Sequence, residues 1–185
     1  MTVEAVLLGS AQDGGFPQAG CTCAACRAAW AGTIQAETPT ALALVDHDAC
    51  ASWLIDATPA FATQLNRLQT TAPGAPLRGI FLTHAHIGHY TGLIHLGREV
   101  MNSDGLPVYA TERTCGFLTA NAPWSQLVAL GNIVLHPVEP GTPVLCLALR
   151  RGEEIVGFQT AAMPKGGKPF SPVQLRVARG IAHLA

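Results

Sequence analysis

Three histidines lie within six residues directly after an apolar run, and this arrangement constrains the fold more than any other part of the sequence. They are His84, His86 and His89, and the run that precedes them spans residues 80–82. A strand that ends in a short loop can direct several imidazoles to one point, and neutral imidazole is the commonest protein ligand for zinc and similar ions. Histidines without a shared partner are the alternative. Because sites are commonly built on loops of a rigid scaffold, the cluster predicts a metal site at a strand end.

The spacing of the three imidazoles indicates how they would share a metal. On an extended segment, residues two apart face the same side, so His84 and His86 are predicted to converge on one ion. His89 follows a turn of the chain, near the predicted start of a helix, and is predicted to face a second position nearby. A bound divalent ion lowers the pKa of its water toward neutrality and supplies hydroxide as a nucleophile. Three protein ligands with one open position are typical of catalytic zinc.

A second cluster consists of three cysteines within six residues, Cys21, Cys23 and Cys26. Three thiolates suit a tetrahedral ion that takes its fourth ligand from elsewhere, and a thiolate-rich shell favours a closed structural zinc. Two alternatives stay open. Cys23 and Cys26 could form a redox pair, or all three could be buried free thiols. The remaining cysteines stand among apolar or small residues and are predicted to be core residues, namely Cys50, Cys115 and Cys146.

Two aspartates are candidate catalytic carboxylates. Asp56 ends a predicted strand over residues 52–55, and a carboxylate in that position either orients a metal-bound histidine or accepts hydrogen bonds from the backbone. Asp13 lies in a loop that contains three glycines and a proline. It is predicted either to line the same cleft or to serve as a turn residue.

The length and charge of the chain limit the classes of function. The sequence has 185 residues, of which 49% are hydrophobic and 12% charged, which is typical of one globular domain. The net charge of -1 gives no electrostatic reason for binding nucleic acid or an anionic membrane. The N-terminus has no basic region before an apolar block, so we expect no secretory signal and a cytoplasmic location. The expected partner is a small-molecule substrate, and a homodimer is left open.

Predicted strands and helices alternate after an opening run of strands, which favours a layered α/β fold with functional loops at strand ends. Thr58 is predicted to be the N-cap of a helix and Pro59 its first residue. A further helix is predicted over residues 91–101, where apolar residues recur at helical spacing.

Together these features resemble the metallo-β-lactamase superfamily, whose signature His-x-His-x-Asp-His follows a strand. The opening residues 8–18 and the cysteine triplet resemble the branch that contains pyrroloquinoline quinone biosynthesis protein B and the phosphoribosyl cyclic phosphodiesterase. The resemblance implies a metallo-β-lactamase-like αββα sandwich and a metal-dependent hydrolase. It also implies that His84 and His86 help to hold a first metal and His89 a second, and that the cysteine triplet is a structural zinc site. Asp56 would match the acidic residue that closes an early strand in the family.

Two departures from the family pattern stand out. Gly88 occupies the position where the family usually has a metal-binding Asp, which leaves either one metal or another carboxylate in that role. The second departure is that the resemblance covers only roughly residues 3–140. Residues 144–149 and 155–158 are predicted strands, but the residues that follow show no amphipathic period. We therefore expect a single domain over residues 1–185, in which residues 141–185 are not matched to the family and the sandwich is incomplete at its C-terminal end.

The predicted function is metal-dependent hydrolysis of an ester or phosphodiester bond by hydroxide generated at the metal. Zinc is the expected cofactor, and manganese and iron are alternatives because histidine sites accept all three ions. Two other functions stay open. One is a non-catalytic metal-binding accessory protein of cofactor biosynthesis, of the pyrroloquinoline quinone type. The other is an inactive, truncated domain.

Overall fold

A mixed six-stranded sheet is the centre of the computed structural model, which describes residues 3–138 and the backbone of residues 144–151 and 154–162. Its strands lie side by side in chain order. They are β1 (Val3–Gly9), β2 (Ala41–Asp46), β3 (Ala51–Ile55), β4 (Leu77–Phe81), β5 (Leu106–Thr111) and β6 (Ile133–Val138). The first three strands are antiparallel neighbours, and β3 to β6 are parallel. The predicted α/β class is confirmed.

Helices connect the parallel strands, because parallel neighbours require a crossover, and a further helix lies between β1 and β2. They are α1 (Ala24–Trp30), α2 (Phe61–Thr71), α3 (Ile87–Tyr90), a 3₁₀ helix (Thr91–Leu96), α4 (Glu112–Ala120) and α5 (Trp124–Ala129). Large apolar side chains from sheet and helices are fully buried together, among them Leu54, Ile80, Phe61 and Leu93. Two further strands, β7 (Val144–Arg151) and β8 (Glu154–Ala162), form an antiparallel pair and confirm the strands predicted there.

The helix predicted to start at Thr58 starts later. α2 begins at Phe61, and Ala60 is its N-cap. The Thr58 hydroxyl instead donates to Gln64 Oε1 at 2.7 Å and accepts from the Ala60 N–H at 3.1 Å. Thr58 therefore stabilises the turn before the helix, and the predicted N-cap at Thr58 was wrong by two residues.

The helix predicted over residues 91–101 is also shorter than expected. It is a 3₁₀ helix over Thr91–Leu96, preceded by the single turn α3. Cys50 differs from its prediction as well. It is exposed, with a left-handed φ of 49°, because it lies in the turn between β2 and β3. Cys115 is buried as predicted, and the side chain of Cys146 lies outside the described residues.

Gly92 is required by a close approach of two backbone segments. Its N–H donates to the carbonyl of Ala57 at 2.9 Å. A Cβ at this position would lie 2.2 Å from the Thr58 carbonyl oxygen and 2.7 Å from Phe61 Cβ. The 3₁₀ helix can therefore pack against the start of α2 only when residue 92 has no side chain.

Gly92→Ala is expected to lower the free energy of unfolding by about 1–3 kcal/mol, because the added methyl group overpacks this contact. Gly116→Ala is the matched control. Gly116 lies within α4, and a Cβ there meets nothing within 4 Å. This control should raise stability by about 0.5–1 kcal/mol. Urea denaturation of both variants tests the pair, and equal stabilities would contradict the packing described here.

Candidate metal centre

Three strand ends meet at one edge of the sheet. β1 and β3 both run antiparallel to β2, so their carboxyl ends lie at the same edge. β4 runs parallel to β3, with Ile55 opposite Phe81 at the last pair. The loop after β1 carries Asp13, Asp56 directly follows β3, and the histidine loop follows β4. The topology therefore brings residues from three distant parts of the chain to one place.

Asp56 is a buried carboxylate with several hydrogen-bond donors. Only 5% of it is exposed, and its φ of 68° is left-handed, a conformation that Asp tolerates better than most residues. Its Oδ1 accepts from the Thr83 backbone N–H at 2.8 Å, and both carboxylate oxygens lie 2.9 Å from the Thr83 hydroxyl. Its Oδ2 accepts from His89 Nδ1 at 2.8 Å. Asp56 therefore joins the end of β3 to both ends of the histidine loop.

The hydrogen bonds of Asp56 define the tautomers of two histidines. A carboxylate can only accept, so His89 Nδ1 carries a proton, and in the neutral form of the ring Nε2 keeps a lone pair. The Thr83 hydroxyl has one proton, which it donates to Asp56. His84 Nδ1, 2.9 Å from the same hydroxyl, must then donate to it. In the neutral ring, His84 Nε2 is consequently unprotonated, and it accepts a hydrogen bond from His86 Nδ1 at 2.9 Å.

His84 lies between the other two imidazoles. Its ring centroid is 4.4 Å from that of His86 and 4.0 Å from that of His89. Its Nε2 lies 2.9 Å from His86 Nδ1. Partial burial, followed by the neighbouring imidazoles, lowers the pKa of His84, so this ring stays neutral near pH 7. The hydrogen bond to Asp56 raises the pKa of His89 against the opposing effect of burial, and Asp13 adds to the rise.

Asp13 faces the same group from the loop after β1. Its Oδ1 lies 3.3 Å from His89 Nε2, and 56% of its side chain is exposed. The structure thus brings together His84, His86 and His89 with the two candidate carboxylates. Thr83 was not singled out from the sequence, although a hydroxyl directly after a strand and beside a histidine is a signal that could have identified it.

The cysteine triplet is a compact group. Within the described residues it is the one set of three metal-ligating side chains whose ligand atoms all lie within 4.8 Å of one another. Cys23 is the N-cap of α1, and its Sγ accepts from the Cys26 N–H at 3.4 Å. This hydrogen bond, with those of neighbouring thiols, lowers the pKa of Cys23 to about 7. A backbone hydrogen bond from Gln18 lowers the pKa of Cys26, but burial and the Cys21 and Cys23 thiols outweigh it and raise the value.

Comparison with known proteins gives consistent matches. The sequence profile described as "Beta-lactamase superfamily domain" matches residues 52–174. Coenzyme PQQ synthesis protein B from Acinetobacter baylyi is 31% identical over 188 residues, covering 94% of this chain and 58% of that protein. The protein of the same name from Klebsiella pneumoniae is 30% identical, covering 94% and 56%. The chain thus spans a little over half the length of these relatives.

Two solved structures share the fold. Zinc-bound PqqB from Methylobacterium extorquens superposes with a TM-score of 0.59 at 24% identity, covering 75% of this chain and 47% of that one. A diphosphatase from the PhnP family superposes with a TM-score of 0.53 at 23% identity, covering 75% and 52%. In the described part of this chain, none of the helices has the length and apolarity of a membrane span.

Proposed function

Because the chain belongs to the beta-lactamase superfamily, we propose that it is a metal-dependent hydrolase that cleaves an ester or phosphodiester bond. The family resemblance predicted from the sequence is confirmed by the profile match and by the similarity to PQQ synthesis protein B. The observation that carries the proposal is the position of His84, in contact with both other imidazoles, while Asp56 holds His89. The proposal places the active site at this edge of the sheet.

The residues at this edge fit a divalent cation. They offer imidazole nitrogens together with carboxylate oxygens, a donor set that suits zinc, manganese or iron. In their neutral forms, His84 and His89 each have an unprotonated Nε2, because their Nδ1 atoms donate, directly or through Thr83, to Asp56. His84 and His86 are exposed, so a substrate can reach the group from solvent. Zinc is our first expectation for the metal.

In the proposed mechanism, the protein supplies orientation and solvent access. When bound, a divalent cation would polarise the scissile bond and lower the pKa of a water molecule toward neutrality. His84, His86 and His89 would hold the cation. Asp56 keeps the proton of His89 on Nδ1 by accepting a hydrogen bond from it. Thr83 does the same for His84, because its hydroxyl donates to Asp56 and accepts from His84 Nδ1. These contacts hold the ligands in position before a substrate arrives.

The test of this function is hydrolysis by the purified chain. Elemental analysis would be combined with assays on bis(p-nitrophenyl) phosphate and p-nitrophenyl acetate, before and after treatment with a chelator. We expect turnover of at least one substrate that disappears with the metal and returns when zinc or manganese is added back. A metal-loaded chain that hydrolyses neither type of bond would contradict the proposed function.

Thr83→Val is expected to weaken metal binding by about tenfold, because valine removes the hydroxyl that links His84 to Asp56 while keeping the shape. Thr83→Ser, which keeps the hydroxyl, is the matched control and should bind like the wild type. Competition with a chromophoric chelator measures both affinities. Equal affinities in the valine and serine variants would show that the link has no effect on the metal.

We propose that the cysteine triplet holds a second, structural zinc ion. Of the six cysteines, the three in the triplet should then be protected from a thiol reagent in the zinc-loaded chain and react after chelation. Counting reactive thiols in the two states checks this prediction. An unchanged count would favour free thiols, and loss of two thiols on mild oxidation would favour the redox alternative for Cys23 and Cys26.

A second candidate function rests on the sequence similarity to coenzyme PQQ synthesis protein B. In this case the chain would be a metal-binding accessory protein in the biosynthesis of a quinone cofactor, without hydrolytic turnover. Complementation of a bacterial strain that lacks its own PQQ synthesis protein B separates the candidates. Restored cofactor production by a chain that hydrolyses neither test substrate would favour the accessory role.

A further inference from the structure

The side chain of Asp13 lies directly beside Gly88 at the histidine cluster. Gly88 is buried in α3, between His86 and His89 in the chain. A Cβ built on Gly88 would lie 3.0 Å from Asp13 Cβ, 3.2 Å from Asp13 Cγ and 3.4 Å from Asp13 Oδ2. The Asp13 side chain therefore fills the space into which any side chain at position 88 would project.

The loop that presents Asp13 is held on both sides. The Gly15 N–H donates to the Gln12 carbonyl at 2.8 Å and closes a turn around Asp13. The Ala11 N–H donates to the Thr38 carbonyl at 3.0 Å, and the Phe16 N–H donates to the Glu37 carbonyl at 2.9 Å. Backbone contacts thus fix the turn independently of the histidines, so the position of the Asp13 backbone is set by the fold.

Asp13 faces the nitrogen of His89 that is available to a cation. Since His89 Nδ1 donates to Asp56, the ring presents Nε2 to Asp13 Oδ1 at 3.3 Å. If Asp13 only balanced the charge of His89, it would add little to stability on this exposed side, because Asp56 already forms a hydrogen bond with that ring. By contrast, the neutral form of His89 offers an Nε2 lone pair beside this carboxylate oxygen, and divalent cations bind both kinds of donor.

We propose that Asp13 is an oxygen ligand of the divalent cation at the histidine cluster, and that Gly88 is required because it leaves room for this carboxylate. The inference rests on the metal site of the proposed function, but it does not depend on hydrolysis. It assigns an oxygen ligand of the site to the loop after β1 and gives a reason for the glycine inside the histidine motif.

Titration of the full-length chain with Mn(II), followed by electron paramagnetic resonance, tests the proposal without an activity assay. Mn(II) prefers oxygen and imidazole ligands to thiolates, so it reports on this site and not on the cysteine triplet. The variants are Asp13→Asn, Asp13→Gly, and Asp13→Gly combined with either Gly88→Asp or Gly88→Asn. Urea unfolding of the metal-free variants controls for folding.

We expect Asp13→Asn and Asp13→Gly to weaken Mn(II) binding by about tenfold or more. Adding Gly88→Asp to Asp13→Gly should restore affinity, because a carboxylate then enters the vacated space from the other side. Gly88→Asn, of equal size but uncharged, should not restore it. Wild-type affinity in both Asp13 variants, no recovery with Gly88→Asp, or equal recovery with Gly88→Asn would overturn the proposal.

The outcome is separable from that of the proposed function. The expected Mn(II) pattern in a chain without hydrolytic turnover would support Asp13 as a ligand and contradict the hydrolase. Turnover that depends on His84 and His86, with Mn(II) affinity unchanged by either Asp13 variant, would support the hydrolase and contradict Asp13 as a ligand. No Mn(II) binding by the wild type would overturn the inference together with this metal site.

Discussion

Replacing His84 and His86 together with alanine is expected to abolish hydrolysis, reducing it to the level of the buffer blank. The two imidazoles contact each other at 2.9 Å, and their loss would leave His89 as the one histidine of the cluster. Zinc at the cysteine triplet should remain, because its thiols come from a different segment, at the start of α1. Steady-state rates and elemental analysis of the same samples measure both effects.

His47→Ala is the matched control for this double variant. His47 lies in the turn between β2 and β3, at the opposite edge of the sheet, and its Nε2 is 2.9 Å from Glu4 Oε2 on the surface. An exposed pair of this kind contributes little to stability, so activity and metal content should stay at the wild-type level. Full activity in the His84→Ala/His86→Ala variant would remove the proposed mechanism.

Asp56→Asn is expected to lower metal affinity by about 10–100-fold and the free energy of unfolding by about 1–3 kcal/mol. The amide keeps the shape of the carboxylate but replaces one acceptor with a donor. Its oxygen cannot take the place of both carboxylate oxygens, so either the hydrogen bond from the Thr83 N–H is lost or His89 must change its tautomer. Asn tolerates the left-handed φ of this position, so the backbone itself is not strained.

Chelator competition and urea denaturation measure the two effects of Asp56→Asn. Asp104→Asn is the control, since Asp104 is an exposed carboxylate just before β5, at the edge of the sheet opposite the site. Should Asp56→Asn lose stability but keep its metal affinity, Asp56 would be a turn residue that only accepts backbone hydrogen bonds. That was the alternative drawn from the sequence.

Strand positions could be predicted from the sequence because short apolar runs bounded by glycine, proline or acidic turns can form few structures other than a buried strand. The parallel pairing of β3 with β4 also follows from the helix between them. The helix starts were less predictable. Thr58 has the chemistry of an N-cap, but its hydroxyl donates a hydrogen bond to the side chain of Gln64, one turn into the helix. The 3₁₀ helix over Thr91–Leu96 depends on the contact at Gly92, which local spacing does not reveal.

The histidine cluster was visible in the sequence because its members are near neighbours in the chain. The contribution of distant residues was harder to define. The position of Asp13 depends on a loop anchored to residues 37–40, and that anchoring arises from tertiary contacts with no local signature. The reason for a glycine at position 88 follows only from its distance to Asp13 in the folded chain. Whether these residues bind metal stays a prediction.

The histidines that approach one another in the folded chain are also close together in the unfolded one, since a single loop carries all three. An ion can therefore associate weakly with the denatured polypeptide, and such association subtracts from the stabilisation that the native site gains from the same ion. Asp13 and Asp56 have no such proximity before folding. The carboxylates, more than the imidazoles, would thus decide how strongly metal shifts the melting temperature.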